Sequence, residues 1–328
     1  MDWRLLAAGQ NILARVPGGS ALYQLGQSMF GLLNRQSPWD KMGAVAEAIR
    51  MVPRSQLRLV SVVEIGVGPF PFGFLIPWFC GSRSTTLVDA RRLLNEGRFL
   101  GGLRTVVENP ERLLNTVRDL APPSVVRHRL RDLCEALEDS PMNPMGAMDV
   151  SYLAPIDSAR IGLPSASASL VYSVSVLEHV DPDSLLQLHC EIYRILEPGA
   201  YAIHVINCGD HFARIDKRIT SINFLQYSDT TWSFIAGNPF SYHNRLRASE
   251  HKELTLLSQL LLMDERSTVD QVAMSSMNTL RLCDRFSGWD VSDLCTTKLV
   301  LVLQKKALDP PEVVSEGPGH WRAPHHPH

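Results

Sequence analysis

Four residues, Glu64, Gly66, Gly68 and Asp89, have types and spacing suited to holding a ligand. In Val63-Glu64-Ile65-Gly66-Val67-Gly68-Pro69 the two glycines follow an apolar run that reads as a buried strand and lead toward a helix, the context in which a glycine pattern gains meaning. Neither glycine carries a Cβ, so the backbone can turn tightly and approach a ligand at van der Waals distance. Glu64 stands two residues before the turn, where its carboxylate can meet a cationic or hydrogen-donating part of that ligand. Asp89 closes the next apolar run about 20 residues further on, and an acid there is placed to accept both hydroxyl hydrogens of a ribose. A nucleoside ligand fits this pair. A dinucleotide turn of the GxGxxG kind would put its third glycine at position 71, where this chain has Pro71, and that counts against a nicotinamide enzyme.

The elements that must position these residues can be read from periodicity. LRLVSVVEI, from Leu57 to Ile65, is a short β-branched run that stops at Gly66, the profile of a buried parallel strand; STTLV (84–88) is a second. Between Arg91 and Asp139 the spacing is helical, with Asn109-Pro110 as a turn that splits it into two helices. VSYL (150–153) and SLVYS (169–173) are predicted third and fourth strands. A helix starts with Asp181 as N-cap and Pro182 at its first position, runs through Leu185, Leu188, Ile192 and Ile195, and is predicted to stop at Pro198-Gly199. YAIHVI (201–206) is a fifth strand and TTKLVLVLQK (296–305) a late, strongly apolar one.

Alternation of strands and helices predicts an α/β fold with a parallel sheet covered on both faces, and binding at the carboxyl ends of the strands. Residues 1–52 form a helical N-terminal appendage, with apolar positions at Leu5, Leu6, Ile12, Leu13, Leu22, Leu25, Met29 and Leu32, broken at Pro17-Gly18-Gly19 and Pro38. The main domain spans 53–306. Within it, residues 208–262 are polar, aromatic and turn-rich, an insertion on the substrate side of the fifth strand. Residues 307–328 have the Pro, Gly and His content of a disordered tail.

With these motifs in order, the chain resembles the class I S-adenosylmethionine-dependent methyltransferases. The family's first motif is similar to ExGxG and is matched by Glu64, Gly66 and Gly68. Ile156-Asp157 with Leu163-Pro164, then Ser169-Leu-Val-Tyr-Ser173 and Val176-Leu-Glu-His179, resemble the run that supplies an adenine-contacting Asp, the fourth strand and a Leu-Glu-His segment. Glu191, Arg194, Leu196, Pro198 and Gly199 look like the following helix end. Ser169 stands where the family usually has Asp, and Ala200 where it often has a second glycine. The resemblance covers about residues 57–206. It implies a doubly wound, mostly parallel seven-stranded Rossmann-like sheet whose last strand is antiparallel, S-adenosyl-L-methionine as cofactor, and Glu64, Gly66, Gly68, Asp89, Asp157 and Ser173 as its binding residues. Segments such as NFLQYSDTTW and YHNRLR are similar to those of bacterial methyltransferases of the polysaccharide and glycosylation type, which points to a saccharide or other small-molecule hydroxyl as acceptor.

Methyl transfer from a sulfonium is an in-line displacement, so alignment and exclusion of water come first; a general base is needed when the acceptor is a hydroxyl. Histidines near strand ends are the candidates. His211, with Asp210 beside it, follows the fifth strand and is the first choice; His179 follows the fourth, with Glu178 before it; His189 falls mid-helix, a core or surface position. The insertion adds Tyr227, Trp232, Phe234, Tyr242, His243, Asn244, Arg245 and Arg247, rings and donors that can stack on a sugar and clamp an anion.

Composition narrows the alternatives. Lys plus Arg number 32 against 34 for Asp plus Glu in 328 residues, so a net charge of −2 offers no field for nucleic acid or an anionic membrane. Six cysteines lie scattered without a CxxC pair, and a reducing cytoplasm is expected. The first residues, with Asp2 and Arg4, do not read as a secretory signal, and no apolar stretch has the length of a spanning helix. The terminal HWRAPHHPH lacks zinc-site spacing, so no metal is expected. An NAD(P)-dependent oxidoreductase of Rossmann type and a non-catalytic methyltransferase-like scaffold are the competing readings; oligomeric state is not legible.

Overall fold

The computed structural model describes residues 1–19, 22, 37–140, 143–157 and 159–307. Seven strands form one sheet: β1 (Ser61–Ile65), β2 (Ser84–Val88), β3 (Val150–Leu153), β4 (Ala168–Val174), β5 (Leu196–Asn207), β6 (Leu261–Val269) and β7 (Thr296–Gln304). Their order is β3-β2-β1-β4-β5-β7-β6. The first five run parallel, while β7 lies antiparallel to both β5 and β6, so the sheet is mixed. The order reverses between β1 and β4. In open α/β sheets that reversal is where a crevice opens at the carboxyl ends of the strands.

The central strands are apolar on both sides because helices cover both faces. The helices of the described residues include α1 (Trp3–Arg15), α2 (Pro38–Ile49), α3 (Leu75–Phe79), α4 (Glu96–Val107), α5 (Pro110–Thr116), α6 (Pro123–Asp139), α7 (Pro182–Ile195), α8 (Asp229–Ala236) and α9 (Ala248–Leu257). Met42 and Ile49 of α2, Leu75 and Trp78 of α3 and Leu103 of α4 pack on one face with Val62, Leu170 and Ile203. Leu185, Leu188, Ile192 and Ile195 of α7 pack on the other with Val63, Val171 and Ala202. The 3.6-residue spacing of those four side chains is what makes α7 readable in advance, and its start is fixed by the Asp181 carboxylate accepting from the Ser184 amide at 3.0 Å. A third cluster joins α1 to the insertion: Trp3 meets the rings of Phe212 and Tyr227 and shares a core with Phe224 and Trp232. There the Trp3 amide donates to Asp216 Oδ2 at 3.1 Å, and Asn11 donates to the carbonyls of Phe234 and Ile235. The two N-terminal helices therefore serve different partners, α2 the sheet and α1 the insertion.

Several expectations need correction. β1 begins at Ser61, because Leu57–Val60 run in along the surface with alternate residues exposed. The stretch 91–139 holds three helices, a second Pro break falling at Pro122-Pro123. Pro198-Gly199 do not separate helix from strand. α7 ends at Ile195, β5 begins at once, and Gly199 takes φ +78° as its amide donates to Lys305 at 3.0 Å. β6 is a strand that the sequence hides, since it is an edge strand with most side chains in water and lacks apolar alternation. The helical spacing expected over Leu25, Met29 and Leu32 and the tail from residue 308 lie outside the described residues. No helix among the described residues is long and apolar enough to cross a membrane.

Candidate active site

The glycine turn sits at the switch point. Gly66 and Gly68 both have left-handed backbone, φ +70° and +66°, but they need glycine for different reasons. A Cβ on Gly66 would lie 2.3 Å from Val176 Cγ2, so this position is closed by the protein itself. A Cβ on Gly68 would point into open space. Gly66 is thus required by packing against the segment after β4, while the space beside Gly68 is open.

Asp89, at the end of β2, is folded back onto that turn. Its Oδ2 accepts from the Gly68 amide at 2.8 Å and its Oδ1 from the Arg91 amide at 3.0 Å. A carboxylate offers about four acceptor positions, so about two remain. The Ile156 amide donates to the Asp89 carbonyl at 2.9 Å, which brings the loop after β3, with the exposed Asp157, to the same sheet end. The Asp157 carboxylate caps its own loop through the Ala159 amide at 2.9 Å.

Glu64 is placed differently from the expectation. It is fully buried, pairs with Lys41 Nζ at 2.9 Å and accepts from the Tyr172 hydroxyl at 2.8 Å. Burial, and then the Glu64 charge, push the Tyr172 hydroxyl well above its usual pKa, so it stays protonated and donates. Gly73 is the residue that makes room, since a Cβ there would stand 2.7 Å from Glu64 Oε1. Lys41 also donates to the Val67 carbonyl at 2.9 Å. The carboxylate therefore ties α2 to the glycine turn. Lys41 carries no motif, and only its helical register over the sheet could have suggested it.

Beside the turn lies a cavity of about 340 Å³, bounded by Asp40 and Lys41 of α2, Gly66, Val67, Phe70 and Ser175. Ser173 does not reach it. Its hydroxyl is wholly buried and shares a 2.8 Å hydrogen bond with His204 Nδ1, whereas Ser175, two residues on with φ +54°, lines the cavity.

A second group assembles where β4 and β5 end. The His211 ring stacks on His243 at 4.8 Å and meets His179 at 5.0 Å. His179 Nδ1 contacts the Tyr242 carbonyl at 2.7 Å and His243 Nδ1 the Ser241 carbonyl at 3.1 Å. A carbonyl only accepts, so both Nδ1 atoms carry the proton and both Nε2 atoms keep a lone pair. Burial depresses all three imidazoles, His243 to about 3 and His211 well below its usual value, so the cluster is neutral at pH 7. Asn244 fixes the arrangement by donating to the Leu177 and Val180 carbonyls, both at 2.8 Å, on either side of Glu178 and His179.

Asp210 is close in sequence but occupied. It caps the 3-10 turn His211–Arg214 through the Phe212 amide at 2.8 Å and accepts from Asn223 at 3.2 Å, while burial lifts its pKa to about 6. The arginines of the insertion are also spent internally. Arg245 pairs with Asp229 and donates to the Phe224 and Tyr227 carbonyls; Arg247 donates to those of Leu294 and Cys208. Neither guanidinium is available to clamp an anion. His243, named in the sequence only among the insertion's rings, turns out to belong with His179 and His211.

A family profile described as a methyltransferase domain matches residues 133–204, from α6 into β5. No curated protein matches the chain. Among solved structures, the chain is similar to an S-adenosylmethionine-dependent methyltransferase from Methanosarcina mazei, at 15% identity and TM-score 0.42, over 77% of this chain and 96% of that one. It is similar to another from Mesorhizobium loti, at 14% and 0.42, over 79% and 96%. A third is a phosphoethanolamine N-methyltransferase from Haemonchus contortus, at 11% and 0.44, over 82% of this chain and 53% of that one. Domain match and strand order together support a S-adenosylmethionine-dependent methyltransferase with S-adenosylmethionine as its cofactor. The residues present fit that group: Gly68 leaves open space where a side chain would stand, and Asp89 keeps free acceptor positions beside it.

Proposed function

We propose that the chain methylates a hydroxyl of a small molecule, a saccharide hydroxyl first among them, between the glycine turn and the histidine cluster. The observation that carries this reading is the meeting of His179 and His211 beyond β4 and β5, at the sheet end that also holds Gly68 and Asp89. When bound, S-adenosylmethionine supplies an electrophilic methyl group. Asp89 accepts from the ribose hydroxyls, Asp157 meets the adenine as the resemblance implies, and Gly66 and Gly68 shape the turn. Glu64 acts through Lys41, holding α2 against that turn. The histidine cluster receives the acceptor: an unprotonated imidazole of His211 or His179 takes the hydroxyl proton as the new C–O bond forms. Asp210 is a positioning residue that orients the turn bearing His211. The preference for a saccharide rests on the insertion's likeness to glycosylation-type methyltransferases.

Two measurements test the proposal. Titration calorimetry with S-adenosylhomocysteine and with NAD separates a methyltransferase from an oxidoreductase of Rossmann type, and labelled cofactor with a panel of saccharide and other hydroxyl acceptors separates an enzyme from a non-catalytic scaffold. His211→Ala is expected to lower turnover about 10²–10⁴-fold with S-adenosylhomocysteine affinity nearly unchanged. Unaltered turnover removes His211 from the chemistry.

A further inference from the structure

We infer that Glu178, His179 and His211 form a binding site for one divalent transition-metal ion, placed to receive the oxygen of the methyl acceptor. This deepens the proposed hydroxyl methylation and rests on it for the role of the ion, though not for the site. One ligand atom from each of the three residues lies within 4.8 Å of the others. Around a tetrahedral zinc with bonds of about 2.1 Å, ligand atoms stand roughly 3.4 Å apart, so the site closes with about 0.7 Å of movement at each side-chain end.

The second observation is a set of buried polar atoms that the protein leaves unused. Both Glu178 carboxylate oxygens and His211 Nε2 are shielded from solvent without a hydrogen-bond partner of ordinary geometry, and Glu178 is only 3% exposed. The Ser175 hydroxyl and the Asn207 amide approach that carboxylate, too loosely to satisfy it; burying a carboxylate so weakly held is costly, and a cation offsets that cost. His179 is prepared in the way that metal-binding histidines usually are: its Nδ1 is spent on the Tyr242 carbonyl, which fixes the ring and frees Nε2. His243 stacks on His211 and steadies its plane. Among the described residues, the cationic side chain that acts on all three ligands is Arg214, which is exposed and screened by water.

Two imidazoles and one carboxylate select zinc, manganese, iron or cobalt over magnesium or calcium, and three protein ligands leave a position open. With the ion bound the imidazole lone pairs are taken by the metal, so the ion replaces the imidazole as the activating group, and an acceptor hydroxyl bound there gives up its proton to water. The oxygen then forms the bond to the methyl carbon as the carbon–sulfur bond breaks, and its electron pair stays on sulfur. Sequence spacing hides the site because residue 211 is brought beside 178 and 179 only when β4 and β5 pair.

The test uses the full chain bound to S-adenosylhomocysteine, with Co²⁺ as probe, followed by calorimetry and by its visible absorption. The terminal histidines His320, His325, His326 and His328 are a second place where Co²⁺ can bind, so a variant with all four changed to Ala is the reference. The expected result is one Co²⁺ per chain in that reference, with the intense absorption of a low-coordinate nitrogen–oxygen site, and at least tenfold weaker binding in Glu178→Gln and in His211→Ala. No Co²⁺ bound to the reference, or only the weak absorption of the hydrated ion, overturns the inference, and this reading needs no variant of the site to fold. Equal affinity in folded Glu178→Gln and His211→Ala also overturns it. A loss of turnover in His211→Ala without any Co²⁺ binding leaves the methylation reading standing and sinks the metal; Co²⁺ binding without methyl transfer to any hydroxyl does the reverse.

Discussion

Acid should unfold this protein through a second histidine group, formed by His204 of β5 with His189 of α7 and His251 of α9. His189, His204 and His251 are each no more than 1% exposed, and no hydrogen-bond partner reaches either nitrogen of His189 or His251. Burial holds His189 down to about 4 and His251 to about 3, against about 6.5 in an unfolded chain. The folded values lie below the unfolded ones, so the unfolded chain binds more protons. Stability is whole above pH 6.5, and falls as the pH drops from there toward 4 and 3. At pH 5 each ring is 1.5 units below its unfolded pKa, which at 1.36 kcal/mol per unit removes about 2 kcal/mol, or about 4 kcal/mol for the two. That is a large part of a typical stability of about 5–15 kcal/mol. Glu178 works against it, because burial lifts its carboxyl to about 8 and the folded state is favoured as that group takes its proton. The measurement is therefore a difference: urea unfolding of the parent and of His189→Leu/His251→Leu at pH 7 and pH 5. The parent is expected to lose about 4 kcal/mol more than the variant between those pH values. Losses equal to within about 0.5 kcal/mol would refute the claim that these rings are held neutral by burial.

Other expectations concern the cofactor side. Asp89→Ala should weaken S-adenosylhomocysteine binding by about 1.5–3 kcal/mol, the range for a hydrogen bond to a charged group, as read by calorimetry; unchanged affinity in a folded variant would move the ribose elsewhere. The two glycines should separate: Gly66→Ala meets Val176 and lowers the melting temperature, whereas Gly68→Val, facing open space at φ +66°, carries mainly the backbone strain of about 1–2 kcal/mol but loses ligand binding. Lys41→Met leaves Glu64 buried with only Tyr172, and a cost of about 3–5 kcal/mol in urea unfolding follows; a stability close to the parent's would show that the pair does not hold α2.

What could be read in advance was whatever depends on short range. The Asp181-Pro182 start of α7, the run into Gly66 and the acid ending β2 announce themselves because caps, turns and alternation act within a few residues. β6 stayed hidden because a strand with neighbours on one edge and water on most side chains has no periodic signal to offer. Ser173 and Ser175 illustrate a finer limit. Both lie at the end of the fourth apolar run, and it takes the left-handed turn at Ser175 to show that the Ser173 hydroxyl enters the core while Ser175 lines the cavity. Lys41 was missed, and His243 was placed only among the insertion's rings, for a common reason: each matters through a partner brought from another element, Glu64 of β1 in one case and His211 after β5 in the other.

The seating of α1 on the insertion has a consequence for the ribosome. Trp3 is made 213 residues before the carboxylate that accepts its amide. At about 5–20 residues per second the helix waits roughly 10–40 s before Asp216 is even synthesised. During that interval the indole, later 1% exposed among Phe212, Phe224 and Trp232, lacks its native aromatic partners. Throughout that interval the nascent chain carries the uncovered apolar face of α1, a ready handle for a chaperone, and a fragment that stops before the insertion keeps that face uncovered for good.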